Sequence, residues 1–262
     1  MNKIKILVLS ILTVTFFSCK NTSSDSHNEH ENHEHTSNWS YSGDKAPQFW
    51  ADIDGYSDCG GHSQSPINIV NAESSENLKP LFLEYSKKEK TEILNNGHTV
   101  QVNYDNGALI VTDTSSYEGV EYNLAQFHFH CGSENTVDGK QYPMEIHLVH
   151  LTENKDIAVI AIFVEEGEEN AFLEKIITKA PKEGTVEIDN ELDINNLLPE
   201  NKSYWTFSGS LTTPPCTEGV KWIVLKNPIK ASEKQIEKMA TLMPKDNFRP
   251  VQKLNDRKIF EF

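Results

Sequence analysis

Gln126-Phe127-His128-Phe129-His130, answered further along by Glu145-Ile146-His147, decides how this chain reads. Residues i and i+2 of a strand point to one face, so His128 and His130 project together while Phe127 and Phe129 face a packed side. Glu145 and His147 share a face in the same way, and the Ile, Leu and Val content of 144–151 is that of a buried strand. Three imidazoles therefore meet from two neighbouring strands at a spacing that suits a zinc ion. Three neutral histidines with a fourth position left to water form the open arrangement of a catalytic site, whereas a structural site is closed by protein. Gln126 and Glu145 each precede a histidine by two residues, so both lie on the metal face and can fix an imidazole tautomer from behind. An unpaired carboxylate on a buried strand is costly, which favours that role for Glu145.

Outward from this stretch, strand-like runs recur at 81–85, 99–104, 108–112, 122–130, 144–151, 157–164, 204–208 and 221–225, punctuated by Gly, Asn and Pro. Two helices are expected. One covers 170–179, with Phe172, Leu173, Ile176 and Ile177 at helical spacing; the other covers 232–243, where Ser232 and Gln235 suit a capping box. Strands dominate and helices decorate, which predicts a strand-dominated α+β fold: one domain over 39–262, with a large central, mostly antiparallel twisted sheet and short helices. The runs 126–130, 144–151 and 157–164 have the apolar content of central strands, so the histidines belong in the middle of the sheet.

The formal charge of −15 on 262 residues and the lack of a Lys/Arg cluster exclude a nucleic-acid partner. Residues 1–18 read as a secretory signal: Lys3 and Lys5, an apolar run over 6–17, then Ser18-Cys19, too short to span a bilayer. Phe16-Phe17-Ser18-Cys19 resembles a bacterial lipobox, which implies lipidation of Cys19 and attachment to a membrane of the cell envelope; Phe16 stands where Leu is usual. The alternative is a soluble secreted or periplasmic protein cleaved nearby. Residues 19–38 form a tether in which His27, His30, His33 and His35 alternate with acidic residues. Such a tract can bind zinc or copper weakly, buffer protons, or serve only as a solvated spacer. An exported chain permits disulfides. Cys131 follows His130 directly and so points away from the metal face, leaving Cys59 and Cys216 as the favoured bridge; a Cys131 zinc ligand would need a bulge to correct its parity.

Six segments together resemble the α-class carbonic anhydrases: Ser65-Pro66-Ile67-Asn68-Ile69, Asn96-Gly97-His98, Gln126 to His130, Gly132-Ser133-Glu134, Glu145 to His150, and Leu211-Thr212-Thr213-Pro214-Pro215-Cys216 running on to Trp222. The match extends from Trp39 to Ile259. It implies reversible hydration of carbon dioxide to bicarbonate and a proton by zinc-bound hydroxide, with one Zn2+ on His128, His130 and His147, and inhibition by sulfonamides and small anions. Thr212 would accept the hydrogen bond of the hydroxide and pass its own proton to Glu134, orienting the nucleophile; Thr213 would line the bicarbonate position. Val149, Val159, Leu211 and Trp222 match the carbon dioxide pocket, though each also reads as core. His98 matches the proton shuttle, with Tyr41, Asn96 and Gln101 along the water path, and Gln101 replaces a common Asn. Asn255 matches the residue whose carbonyl orients His130. Asn135 stands where His often follows Glu134, with no expected effect on mechanism, and His150 falls on the face opposite His147 as a satisfied core residue.

Overall fold

Strands supply most of the regular structure among the described residues, and the central ones, Met144–Leu151 and Ile157–Glu166, are buried on both faces. The computed structural model describes residues 38–88, 90–105, 107–111, 119–189 and 192–262. The leader expected at 1–18, Cys19 and the tether histidines lie outside the described residues. The strands are β1 (Asn68–Ile69), β2 (Glu73–Ser74), β3 (Phe82–Tyr85), β4 (Thr91–Asn95), β5 (Val100–Asn103), β6 (Gly107–Val111), β7 (Val120–Cys131), β8 (Thr136–Val137), β9 (Met144–Leu151), β10 (Ile157–Glu166), β11 (Gly184–Ile188), β12 (Tyr204–Ser210), β13 (Glu218–Ala231) and β14 (Phe260–Glu261). Two α-helices, α1 (Ala171–Ile177) and α2 (Glu233–Thr241), accompany them, with short 3-10 turns near the start of the described residues.

The main sheet runs β11-β4-β5-β7-β9-β10-β13-β12-β14-β2, with β6 also on β7 and β3 on β6. β10 with β13, and β14 with β2, are parallel; the other neighbours in this sheet are antiparallel. The fold is thus a strand-dominated, mixed but largely antiparallel twisted sheet with few short helices. No described helix is long and apolar enough to cross a membrane.

Register fixes what each face carries. Gln101, His128, His147, Ala161 and Val224 stand side by side across β5, β7, β9, β10 and β13, and laterally paired residues share a face. A register shift between Leu124 and Gln126 reverses the parity of β7 at Ala125. Leu124 and Phe127 consequently both enter the back core, and the residues after the bulge turn His128 and His130 to the front. The back core gathers Phe127, Phe129, Ile146, Leu148, Ile160 and Ile162 under Phe172, Leu173, Ile176 and Met239 of the helices. Complete burial of such side chains contributes about 1.5–3 kcal/mol each.

The helices form where their end signals stand. Asn170 accepts hydrogen bonds from the N–H groups of Phe172 and Leu173, and Ser232 and Gln235 form the expected capping box. Gln235 also exchanges hydrogen bonds with the main chain of Asn170, at 2.8 and 2.9 Å, which ties the two helix starts together. The two-residue strands β1, β2, β8 and β14 have no counterpart among the expected runs, and neither do two longer ones. β4 buries Thr91, Ile93 and Asn95, so its inward face is two-thirds polar and does not register as apolar, and β11 is an exposed edge. Cys59 and Cys216 are joined by a disulfide packed on Trp50, and the free Cys131 sits half-buried against the back core, as its parity requires.

Candidate metal centre

His128 and His147 are register partners on β7 and β9, and His130 lies opposite Glu145. The three imidazole centroids lie 4.7–5.2 Å apart. Each ring is held from behind by an acceptor. His128 Nδ1 lies 2.9 Å from Gln126 Oε1, His130 Nδ1 lies 2.7 Å from the Asn247 carbonyl oxygen, and His147 Nε2 lies 3.0 Å from Glu145 Oε1. An acceptor takes the N–H of a neutral imidazole and leaves the lone pair on the opposite nitrogen. That leaves Nε2 of His128 and His130, and Nδ1 of His147, for a metal.

The donor set fits zinc on three counts. One nitrogen from each ring lies within 4.8 Å of the others. His130 Nε2 is buried without a hydrogen-bond partner, an arrangement that costs free energy unless something else occupies the lone pair. Burial also holds all three histidines below their ordinary pKa, reinforced at His128 by its two ring neighbours and at His147 by His130. Neutral imidazole is the form that binds zinc.

Glu134 reaches the same point from the turn after β7. Its Oε2 stands 3.5 Å from His130 Nε2 and 3.8 Å from His147 Nδ1, while Oε1 accepts the Arg249 main-chain N–H at 2.8 Å. Burial pushes its pKa up to about 8, against the opposing pull of the Arg249 amide and the Thr212 hydroxyl. Oε2 has no hydrogen bond of normal geometry. Gly132 starts this turn at φ 69°, and a Cβ there would lie 2.7 Å from the Phe248 ring, so only glycine fits.

Thr212 and Thr213 lie on a loop closed by Leu211 N–H donating to Thr217 and Cys216 N–H donating to Thr213. Trp222 Nε1 anchors its base on the Ser210 carbonyl at 3.0 Å. Val159 and Trp222 are core members of one apolar cluster, against which Val149 and Leu211 pack half-buried. The Trp222 ring lies 4.9 Å from that of His147. On the other side His98 stacks on Trp39 at 3.8 Å, with Tyr41 at 6.2 Å, and burial lowers its pKa. Asn96 Oδ1 accepts the N–H groups of His98 and Thr99, so its oxygen shapes the turn that presents His98. Gln101 lies beside His128 and donates to Asn103. Tyr41 is held well above the ordinary phenol range by burial, with the nearby Glu134 charge adding to it.

One expected residue is displaced. Asn255 donates to the His62 carbonyl and does not meet His130; the carbonyl that does belongs to Asn247. Every residue carries a main-chain carbonyl, so no residue type marks the position. Asn135, assigned no part in the site, proves to donate to Glu145 through both its main-chain and side-chain nitrogens. Arg249 is a third residue without a sequence signal, a buried guanidinium that donates to Gln64, Ser65 and Cys59. His150 lies on the opposite face, bonded to the Tyr85 hydroxyl at 2.7 Å.

The model of the eukaryotic-type carbonic anhydrase family matches residues 45–262. The chain belongs to that family. It is 43% identical to a carbonic anhydrase of Klebsiella pneumoniae over all of this chain and 98% of the relative, and 41% identical to one of Neisseria gonorrhoeae over 88% and 90%. Among solved structures it resembles a hyperthermostable carbonic anhydrase from a hydrothermal vent chimney, with TM-score 0.80, 42% identity, and coverage of 86% of this chain and 99% of that one. It also resembles the α-carbonic anhydrase of Thermovibrio ammonificans in complex with the inhibitor sulfanilamide, with TM-score 0.79, 43% identity, and coverage of 85% and 98%. The chain is therefore an enzyme of the α-class carbonic anhydrases, a family that uses zinc.

Proposed function

We propose that this enzyme catalyses the reversible hydration of carbon dioxide to bicarbonate and a proton, with one zinc ion on His128 Nε2, His130 Nε2 and His147 Nδ1. The observation that carries this reading is the convergence of three neutral imidazoles, one with an orphaned buried nitrogen, on a point that Glu134 also faces. A zinc ion held there would lower the pKa of a bound water to about 7, the behaviour for which this family is the standard example.

The remaining work falls to the chain. Thr212, with its hydroxyl proton directed at the Glu134 carboxylate, keeps only a lone pair for the nucleophile and so orients it toward the substrate. Glu134 acts through Thr212 and removes no proton from the nucleophile. Val149, Val159, Leu211 and Trp222 form an apolar wall for carbon dioxide, which has no net dipole, and Thr213 receives bicarbonate. His98 takes the released proton toward solvent along a path bordered by Tyr41, Asn96 and Gln101; its lowered pKa makes it a ready donor to buffer. Gln126, Glu145 and Asn247 hold the ligand tautomers. The sulfanilamide complex of the Thermovibrio relative supports inhibition by sulfonamides here. Export through residues 1–18 and lipid anchoring at Cys19 complete the reading, and the Cys59–Cys216 disulfide is consistent with an oxidising compartment.

Stopped-flow hydration of carbon dioxide by the zinc-loaded protein tests the whole. Fast turnover abolished by a sulfonamide or a chelator is the expected result. A folded protein that holds one zinc and turns over no carbon dioxide would overturn it. The same assay on residues 38–262 shows whether the tether contributes.

A further inference from the structure

His147 differs from its two companions: it turns Nε2 outward and Nδ1 inward, while His128 and His130 do the reverse. Which nitrogen it offers depends on Glu145 remaining a pure acceptor in one orientation. Asn135 provides that control. It is completely buried, and its main-chain N–H donates to Glu145 Oε2 at 2.8 Å while its Nδ2 donates to Oε1 at 2.7 Å. The carboxamide is itself locked, because Oδ1 accepts the Ile67 N–H at 3.1 Å and so Nδ2 must face the carboxylate. Ser133 Oγ holds the Asn135 carbonyl at 2.7 Å. With both carboxylate oxygens engaged, Glu145 is unable to rotate, and Oε1 can only accept from His147.

We infer that Asn135 is a positioning residue that sets the His147 tautomer through Glu145, and so determines which nitrogen, and how firmly, this histidine gives to zinc. The inference rests on the proposed role of His147 as a ligand. Its consequence is a chain of three buried residues, Asn135, Glu145 and His147, in which loss of Asn135 or of the Glu145 carboxylate loosens the metal before it affects the fold.

The test is zinc release from the full-length, zinc-loaded protein into excess chelator, with the melting temperature of the metal-free form recorded for each variant. Asn135→Ala should release zinc roughly 10–100-fold faster, the usual size of an outer-partner effect on a metal site. Glu145→Gln should do likewise. The double variant should stay within about twofold of Glu145→Gln alone, because Asn135 acts through Glu145. Asn135→His, which keeps a ring N–H donor, should recover part of the loss. Release from Asn135→Ala within about twofold of the parent, or effects that multiply in the double variant, would overturn the inference. If Asn135→Ala does not fold, Asn135→Ser makes the same comparison. His147→Ala separates the two readings: zinc retained without this imidazole sinks the ligand assignment, whereas zinc lost there but held by Asn135→Ala sinks only the clamp.

Discussion

His147 and His150 stand three residues apart on one strand, both almost without solvent contact, yet on opposite faces of the sheet. His150 has Leu124 and Ala158 as lateral neighbours and a single strong partner, the Tyr85 hydroxyl. His147 has His128 beside it, His130 across the site, Glu145 behind and Glu134 in front. Burial alone therefore does not make a metal ligand. What differs is convergence: on the front face several lone pairs point to one place and each ring is braced from outside, while on the back face one polar bond is absorbed into a hydrocarbon core.

The comparison breaks most visibly on the front. His147→Ala should lower zinc affinity by about 10³-fold or more, beyond the range of an outer partner, and abolish turnover with it. Full activity and zinc content in that variant would remove the ligand assignment. Phe129→Ala on the back of β7 should instead cost about 3–5 kcal/mol of stability, with one zinc still bound by whatever folds. Chemical denaturation and metal analysis distinguish the two outcomes.

Thr212→Ala sharpens the distinction between holding the metal and using it. Zinc content should be unchanged and turnover lower by roughly 10²–10³-fold, the size of losing one orienting hydrogen bond in an active site. An unaltered rate would end the argument for orientation.

On the back face the readout is pH. Burial pushes the His150 pKa down to about 4, so the folded protein keeps this ring neutral while the unfolded chain protonates it below its ordinary value of about 6.5. Its contribution is complete above that value and is lost as pH falls toward 4, by up to roughly 3 kcal/mol. His150→Gln should flatten this part of the stability profile relative to the parent. Parallel profiles for the two proteins would show that His150 does not supply it.

The smallest effect is expected at the rim. His98→Ala should slow turnover in dilute buffer by less than the roughly 10²-fold that opens the range of general acid–base effects, since water and buffer substitute for it. Added imidazole should restore the rate, and failure to do so would exclude a shuttle there.

Much of this molecule was legible from side-chain pattern. Strand parity alone places His128 and His130 on one face with Gln126, Cys131 on the other, and Glu145 on the face of His147, because a two-residue period is a local property of the backbone; the register of β7 with β9 then joins His147 to the other two. The helix starts at Asn170 and Ser232 are equally local. Strands β4 and β11 were not legible, since their apolar content is slight and only their neighbours in the sheet make them strands.

By itself, then, the sequence determined the ligand types, the shared face of His128 and His130, and the family of fold. The tertiary structure decided which groups brace them. Asn247 serves through a carbonyl that any residue possesses, which is why Asn255 could be mistaken for it, and Asn135 serves through a carboxamide whose direction depends on Ile67 far away in the chain. The bulge at Ala125, invisible in composition, is what lets a strand with Leu124 in the back core present His128 and His130 to the front. Side-chain chemistry and spacing are written along the chain, whereas a hydrogen-bond partner is chosen by distance in space, and that distance exists only after the sheet has closed.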